Sequence, residues 1–172
     1  SGIWLSSCLA LLAEACGKAG QAEEGFTALT EALTLVAKNG ERYYEAELYR
    51  LKGTLTLQSK TSLGQVSDKS QASQNKSKDT NTQPPIPSTQ AEVEAEACFH
   101  KAIEIARKQQ AKSLELRAVV SLSRLWQRQD KKDEARKLLA EIYGWFTEGF
   151  DTKDLQEAKA LLEELSSQDV KV

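Results

Sequence analysis

The sequence has no methionine, one histidine and no uninterrupted run of eighteen apolar residues. Without such a run, we expect no membrane-spanning helix. His100, the single histidine, cannot be assigned to a Ser-His-Asp set, and the HExxH, GxGxxG and P-loop patterns do not occur. We therefore expect no enzyme activity, no catalytic or metal-binding residues and no cofactor in this chain. Because methionine is missing, we also expect Ser1 to begin a piece of a longer protein.

Cysteine is scarce, and its spacing does not indicate a metal site. Cys8, Cys16 and Cys98 form no CxxC pair, and each occupies an apolar position of a helical pattern. The apolar stretch at residues 3–16 lacks the basic lead of a secretory signal, and Glu14 interrupts it. These features predict reduced, buried thiols in a cytoplasmic protein.

Charge of both signs is present in nearly equal amounts, so that the formal net charge is only −2. A chain without an excess of lysine and arginine offers no broad positive field for a phosphate backbone. We therefore expect the partner to be a protein or peptide, with no nucleic acid and no membrane.

Proline is confined to one segment, at about 58–90, which breaks from the rest of the chain. This segment holds all three prolines, seven serines and six glutamines, and it has no aromatic residue. Such a composition cannot bury enough apolar surface to offset its chain entropy, so we predict a disordered insertion. An idle loop and a modified or partner-binding segment both fit this composition.

Outside that segment the apolar residues recur at helical spacing, and no alternating strand pattern competes. We predict an all-α fold with stops at Gly20 and Gly40. The predicted helices lie at roughly 3–18, 21–38, 41–58, 90–110, 112–129, 131–143 and 152–166.

The second helices of three predicted hairpins share a small–large–small pattern. Small residues stand at Gly25, Ala95 and Ala135, and a large residue follows four positions later in each case. The large residues are Leu29, Phe99 and Leu139, and the third positions are Ala32, Ala102 and Ile142. Ala95 and Ala135 are 40 residues apart, whereas Gly25 and Ala95 are 70 apart, so an insertion of about thirty residues would reconcile the two distances. We predict a single array over 1–172, with hairpins at about 3–38, 41–110 and 112–143 and a cap helix at about 152–166.

The stretch "EAEACFHKAIEIA" and its counterparts resemble tetratricopeptide repeats, in the variety with a period of about 40 residues. Together with "ERYYEAELYRLKG" and "IYGWFTEGFDTKDLQEAKALLEEL", they look like the C-terminal repeat region of bacterial multidomain signalling ATPases and nucleotide cyclases. The resemblance implies a right-handed superhelix and a regulatory, partner-sensing role. Asp130 stands where a turn glycine is usual in that family.

The stretch "YGWFTEGFDT" includes signals for the end of one helix and the start of the next. Gly144 is predicted to end the sixth helix, and Asp151 to cap the seventh by accepting a bond from the amide of Asp154. Phe150 and Leu155 would then form a hydrophobic staple.

The aromatic residues Tyr143, Trp145 and Phe146 of the same stretch have two interpretations. They can cover the open end of the last hairpin, which has no further neighbour in an array, or they can form a ligand-stacking platform. We favour the cover.

In a superhelix of hairpins, the first helix of each pair lines the concave surface. The repeat register places six charged residues near that surface: Glu14, Glu47, Arg50, Arg117, Arg124 and Arg128. A peptide or partner helix of complementary charge could dock there, although a plain solvated face explains the same residues. We predict a non-enzymatic protein–protein interaction module.

Two alternatives stay open at this point. The chain could be an intramolecular structural segment that packs on and gates the ATPase or cyclase domains of its parent protein, which an apolar outer patch near Ile3 and Trp4 would favour. Self-association as a homo-oligomer through the N-terminal repeat is a further option, because a truncated array leaves one interface uncovered.

Overall fold

The computed structural model describes residues 3–40, 42–64 and 89–167, without the side chains of Ile3 and of residues 60–64. These ranges contain seven α-helices and one short 3-10 helix: α1 (Ile3–Lys18), α2 (Ala22–Asn39), the 3-10 helix (Arg42–Tyr44), α3 (Glu45–Gly64), α4 (Gln90–Lys108), α5 (Lys112–Arg128), α6 (Lys132–Tyr143) and α7 (Lys153–Ser167). No strand occurs in the described ranges, and the predicted all-α class is confirmed. The disorder predicted for about 58–90 falls mainly on residues 65–88, which lie outside the description.

The helix α3 is longer than expected, since it continues to Gly64 instead of ending near Gln58. Neither glycine nor proline stands between Gly53 and Gly64, so nothing local ends the helix earlier. The end of α3 near Gln58 was predicted from the polar composition that follows, and this boundary was too early. On the far side of the insertion, Thr89 and Glu92 form a capping box that starts α4.

Three of the interhelical turns share one backbone geometry. Gly20, Gln110 and Asp130 each adopt a positive φ, of 77°, 56° and 61°. In each turn the following amide donates to a carbonyl five residues earlier, as between Lys131 and Trp126 at 2.9 Å. This is the six-residue bond of a Schellman motif, which satisfies the free carbonyls at a helix end. Asp130 therefore replaces the usual turn glycine without changing the turn.

The three hairpins also share one point of close approach between their helices. A Cβ on Gly25 would lie 3.4 Å from the Ala13 carbonyl, and a Cβ on Gly53 would lie 3.1 Å from the Ala95 carbonyl. In the third hairpin the Ser123 hydroxyl donates to the Ala135 carbonyl at 3.3 Å. The small residues of the first helices are Ala13, Gly53 and Ser123, which are spaced by 40 and then 70 residues. Those of the second helices are Gly25, Ala95 and Ala135, which are spaced by 70 and then 40. This reversal places the insertion inside the second hairpin, between α3 and α4.

Helices that follow each other in the chain pack against each other, and the short turns after α1, α4 and α5 make the pairs that they join antiparallel. The odd-numbered helices α1, α3, α5 and α7 also contact each other in that order. They therefore lie side by side and form one face of a helical, repeat-like layer. Phe99 and Leu139, two of the predicted large residues, are almost completely buried in the hydrophobic core.

The C-terminal turn confirms some expectations and corrects others. α6 ends at Tyr143 with Gly144 as its C-cap, as predicted. The first helical bond of α7 runs from the Gln156 amide to the Thr152 carbonyl, so Thr152 and not Asp151 occupies the cap position. Because the cap is shifted by one residue, Phe150 and Leu155 do not occupy the positions of a staple.

The aromatic residues of this turn are only partly buried. Tyr143 and Phe146 pack against the main core, whereas 59% of Trp145 is exposed. The Lys112 ammonium lies 5.7 Å from the centre of the Trp145 ring. Tyr143 and Phe146 are thus packing residues at this end of the chain, and Trp145 is not.

The cysteines also differ from the expectation. Cys16 is buried and Cys98 is half-buried, but Cys8 is exposed on α1. Burial raises the pKa of the Cys98 thiol above its ordinary value.

Candidate interaction groove

The face built by the odd-numbered helices contains three adjoining hollows, with volumes of about 500, 220 and 190 Å³. Arg50 on α3 lines all three, so they adjoin one another, and we call the three together the groove. Five of the six charged residues predicted for this face line the groove: Glu14, Arg50, Arg117, Arg124 and Arg128. The sixth, Glu47, lies buried beneath it.

Glu47 joins two of the groove arginines. Its carboxylate accepts two hydrogen bonds from Arg50, at 2.7 and 2.9 Å, and a third from Arg117 at 3.1 Å. Only 4% of Glu47 is exposed, so it holds the two guanidinium groups in place instead of facing solvent. A bidentate pair of this kind fixes the plane of a guanidinium group as well as its position.

The cap helix α7 supplies acidic residues that the sequence reading did not assign to the groove. Asp154 accepts a hydrogen bond from Arg117 at 3.1 Å, and Glu157 accepts one from Arg124 at 2.7 Å. These two residues stand three positions apart, and therefore on one face of α7. That spacing is the one signal in the sequence that could have indicated their shared position.

The charges of the groove do not cancel. Its lining includes six basic side chains and three acidic ones, and Glu47 beneath it brings the acidic number to four. Burial alone would lower the pKa of Arg117, but Glu47 and Asp154 outweigh it and raise that pKa. Lys18 donates to Glu14 and lowers the pKa of that carboxyl group. The Arg117 guanidinium and the Glu14 carboxylate therefore both carry full charge at neutral pH.

Arg128 differs from the other arginines of the groove. It is exposed at the end of α5, and no ion pair is recorded for it in the part of the chain that the structure describes. Its positive charge is therefore available to a ligand without the loss of an internal contact. The 500 Å³ hollow, in which Arg128 lies, also has apolar walls formed by Leu57, Phe99, Val120 and Leu125.

His100 lies on the outside of α4, away from the groove. Its Nε2 is 3.8 Å from the carboxylate of Glu96, which also accepts a hydrogen bond from the Trp126 indole at 2.9 Å. The hydrogen bond from Trp126 fastens α5 to α4. Over residues 3–40, 42–64 and 89–167, no group of three or more His, Cys, Asp or Glu side chains is arranged to hold a metal ion. None of the helices in the same ranges has the length and apolarity to cross a membrane.

Comparison of the chain with models of known protein families, with curated proteins and with solved structures finds no match. The tetratricopeptide resemblance and the parent protein that it implies therefore remain predictions.

Proposed function

We propose that this chain is a non-enzymatic protein-interaction module that binds a peptide or a partner helix in the groove. In this proposal the hairpins form a right-handed superhelix of the tetratricopeptide type, with α7 as its capping helix, in a cytoplasmic regulatory protein. The single observation that carries it is the set of adjoining hollows lined by five of the six charged residues that the repeat register selects.

The chemistry of the groove supports one class of ligand above others. Basic side chains outnumber acidic ones, and Arg128 has no recorded ion pair among the described residues. The adjoining wall of Leu57, Val120 and Leu125 is apolar. A ligand that matches both features carries acidic side chains beside one or two apolar ones. Charge of this kind sets orientation and association rate, while the apolar contact contributes most of the affinity.

The second candidate function is an intramolecular one, in which the chain packs on the ATPase or cyclase domains of its parent protein. The observation in its favour is the exposure of Trp4, Leu5, Leu11 and Leu12 on α1, because large exposed apolar patches mark interfaces. The side chain of Ile3, which the prediction also named, lies outside the described residues. This function needs no ligand in the groove.

A selection from a random peptide library displayed on phage separates the two functions. The groove proposal predicts enrichment of acidic peptides that contain apolar residues, with lower affinity for Arg128→Glu and with stronger binding at low salt. Recovery of no peptide, or of peptides that bind Arg128→Glu as well as the original chain, would contradict the groove proposal.

Lys137→Glu provides the matched control. Lys137 is exposed on α6, does not line the groove and undergoes the same change of charge. A selected peptide should bind this variant within about twofold of the original chain, since charges far from the ligand are screened over roughly 10 Å. If the two variants lose affinity equally, the peptides bind through a general attraction to positive charge and not through the groove.

A further inference from the structure

The helix α1 presents an apolar face to solvent along its whole length. Trp4 is 77% exposed and Leu11 is 66% exposed, and Leu5 and Leu12 are about half exposed beside them. Cys8 and Ala15, which lie between these residues on the helix surface, are exposed as well. These six residues form a stripe about three turns long, which we call the α1 face.

The repeat register identifies this stripe as a surface of the helix-packing type. The point of close approach at Ala13 corresponds to the one at Gly53, 40 residues later. With the same shift, Cys8, Leu11 and Ala15 correspond to Leu48, Leu51 and Leu55 of α3, which are almost fully buried against the first hairpin. The part of the α1 face formed by Cys8, Leu11 and Ala15 is therefore the equivalent, in the first hairpin, of a surface that is covered in the second.

A second copy cannot cover the α1 face by extending the array. The surfaces that accept such a face inside this chain are already occupied, because α3 packs on α2, α5 packs on α4 and α7 packs on α6. The outer side of α7 is polar, with Lys159, Glu163 and Glu164 exposed on it. A second copy can instead present its own α1 face, on which Trp4, Leu5, Leu11 and Leu12 are all exposed.

The order of large and small residues on the α1 face makes it complementary to itself. The central line of the α1 face runs Trp4, Cys8, Leu11 and Ala15, so large and small side chains alternate along it, while Leu5 and Leu12 flank this line on one side. When two such helices lie antiparallel about a two-fold axis between residues 9 and 10, Trp4 of one copy lies opposite Ala15 of the other. Leu11 of one copy then lies opposite Cys8 of the other. On the central line, each bulky side chain thus meets a small one, as close helix packing requires.

We propose that the chain forms a two-fold symmetric homodimer through antiparallel α1 helices packed in this register. The two copies contribute the same patch, which is the arrangement of most dimers. The groove lies on the face shared by all the odd-numbered helices, and the dimer leaves its third-hairpin part open. This proposal is independent of the ligand in the groove, so either can fail alone.

Sedimentation velocity of the full chain over a range of concentrations tests the dimer. The original chain should show a dimer that dissociates on dilution, and Leu11→Glu should weaken it roughly tenfold or more, because it places a charge in the apolar contact. Val93→Glu is the matched control, since Val93 is an apolar residue exposed on α4. If the original chain is monomeric at every concentration, the proposal is overturned. The α1 face would then be left to another protein or segment.

An exchange of large and small residues tests the register itself. Ala15→Trp should weaken the dimer, because it sets two tryptophans against each other. The double variant Trp4→Ala/Ala15→Trp restores the alternation and should recover the dimer to within a few-fold of the original chain. Equal dimerisation of Ala15→Trp and the original chain would contradict this register, and circular dichroism of each variant verifies that the helices are retained.

Discussion

The Arg117 guanidinium donates a hydrogen bond to the Glu47 carboxylate across 3.1 Å, although 70 positions separate the two residues in the chain. The contact joins α3 to α5 across the insertion, and Arg50 approaches the same carboxylate from its own helix at 2.7 Å. One buried acid thus aligns two cations at the base of the groove. Charged side chains that only face solvent do not require a buried counter-charge such as Glu47 to hold them in position.

Replacement of Glu47 by glutamine should destabilise the fold. The change leaves Arg50 and Arg117 without their shared counter-charge in a largely buried position, and we expect a loss of about 2–3 kcal/mol in the free energy of unfolding. Urea denaturation followed by circular dichroism measures it. Glu14→Gln is the control, because the exposed Glu14–Lys18 pair contributes less than about 1 kcal/mol. Equal effects of the two changes would show that Glu47 has no special structural role.

The close approach in the second hairpin should not tolerate a methyl group. A Cβ on Gly53 would lie 2.7 Å from Cε1 of the Phe99 ring, which is itself almost completely buried. Gly53→Ala should therefore destabilise the chain by about 1–3 kcal/mol. In a Phe99→Leu background the same change should have a smaller effect, because the ring is absent. Additive effects in this double-mutant cycle would contradict the proposed contact.

The turn at Asp130 offers a stabilising substitution. Its φ of 61° is strained for a residue with a Cβ, whereas the equivalent turn in the first hairpin has Gly20. Asp130→Gly should raise the free energy of unfolding by about 1 kcal/mol, and Gly20→Ala should lower it by a similar amount. Thermal unfolding of the two variants measures both signs. If Asp130→Gly is less stable than the original chain, the side chain of the aspartate stabilises the turn by more than its strained φ destabilises it.

The stability of the chain should depend on pH through Glu115. Burial alone raises the pKa of this carboxyl group, but hydrogen bonds from Arg107 and Lys112 outweigh it and hold the pKa below the ordinary value of 4.5. Because the folded-state pKa is the lower one, the ionised group stabilises the fold fully above about pH 4.5. That contribution is lost as the pH falls through the folded-state pKa.

The variant Glu115→Gln isolates this contribution. At pH 7 it should unfold more readily than the original chain, and the difference between the two should shrink as the pH is lowered from 5 to 3. Denaturation at a series of pH values gives both curves. A difference that stays constant over this range would mean that the charge of Glu115 does not stabilise the folded state.

The sequence was sufficient to predict the helices and their register, because both depend on local periodicity. The small–large–small pattern led to the correct pairing of Gly25 and Ala95 across the insertion, and Gly20 and Gly40 marked real helix ends. The same local reasoning placed the cap of α7 one residue too early, since Asp151 and Thr152 are both competent caps.

The site was less accessible to sequence reasoning than the fold. Charged residues could be assigned to the face of the first helices, but not sorted into buried and exposed ones. Glu47 is buried only because Arg50 and Arg117 meet over it, and that meeting depends on the packing of α3 against α5. The contribution of Asp154 and Glu157 depends in the same way on how α7 packs against α5, which no local pattern specifies.

The central claim, that the groove binds a peptide, is tested most directly by the amide chemical shifts of the chain during titration with a selected acidic peptide. The account predicts that the shifts change along α3 and α5, at positions such as Arg50, Ser121 and Arg128, and saturate with one affinity. Changes confined to the α1 face, or to the outer surfaces of α2, α4 and α6, would contradict it.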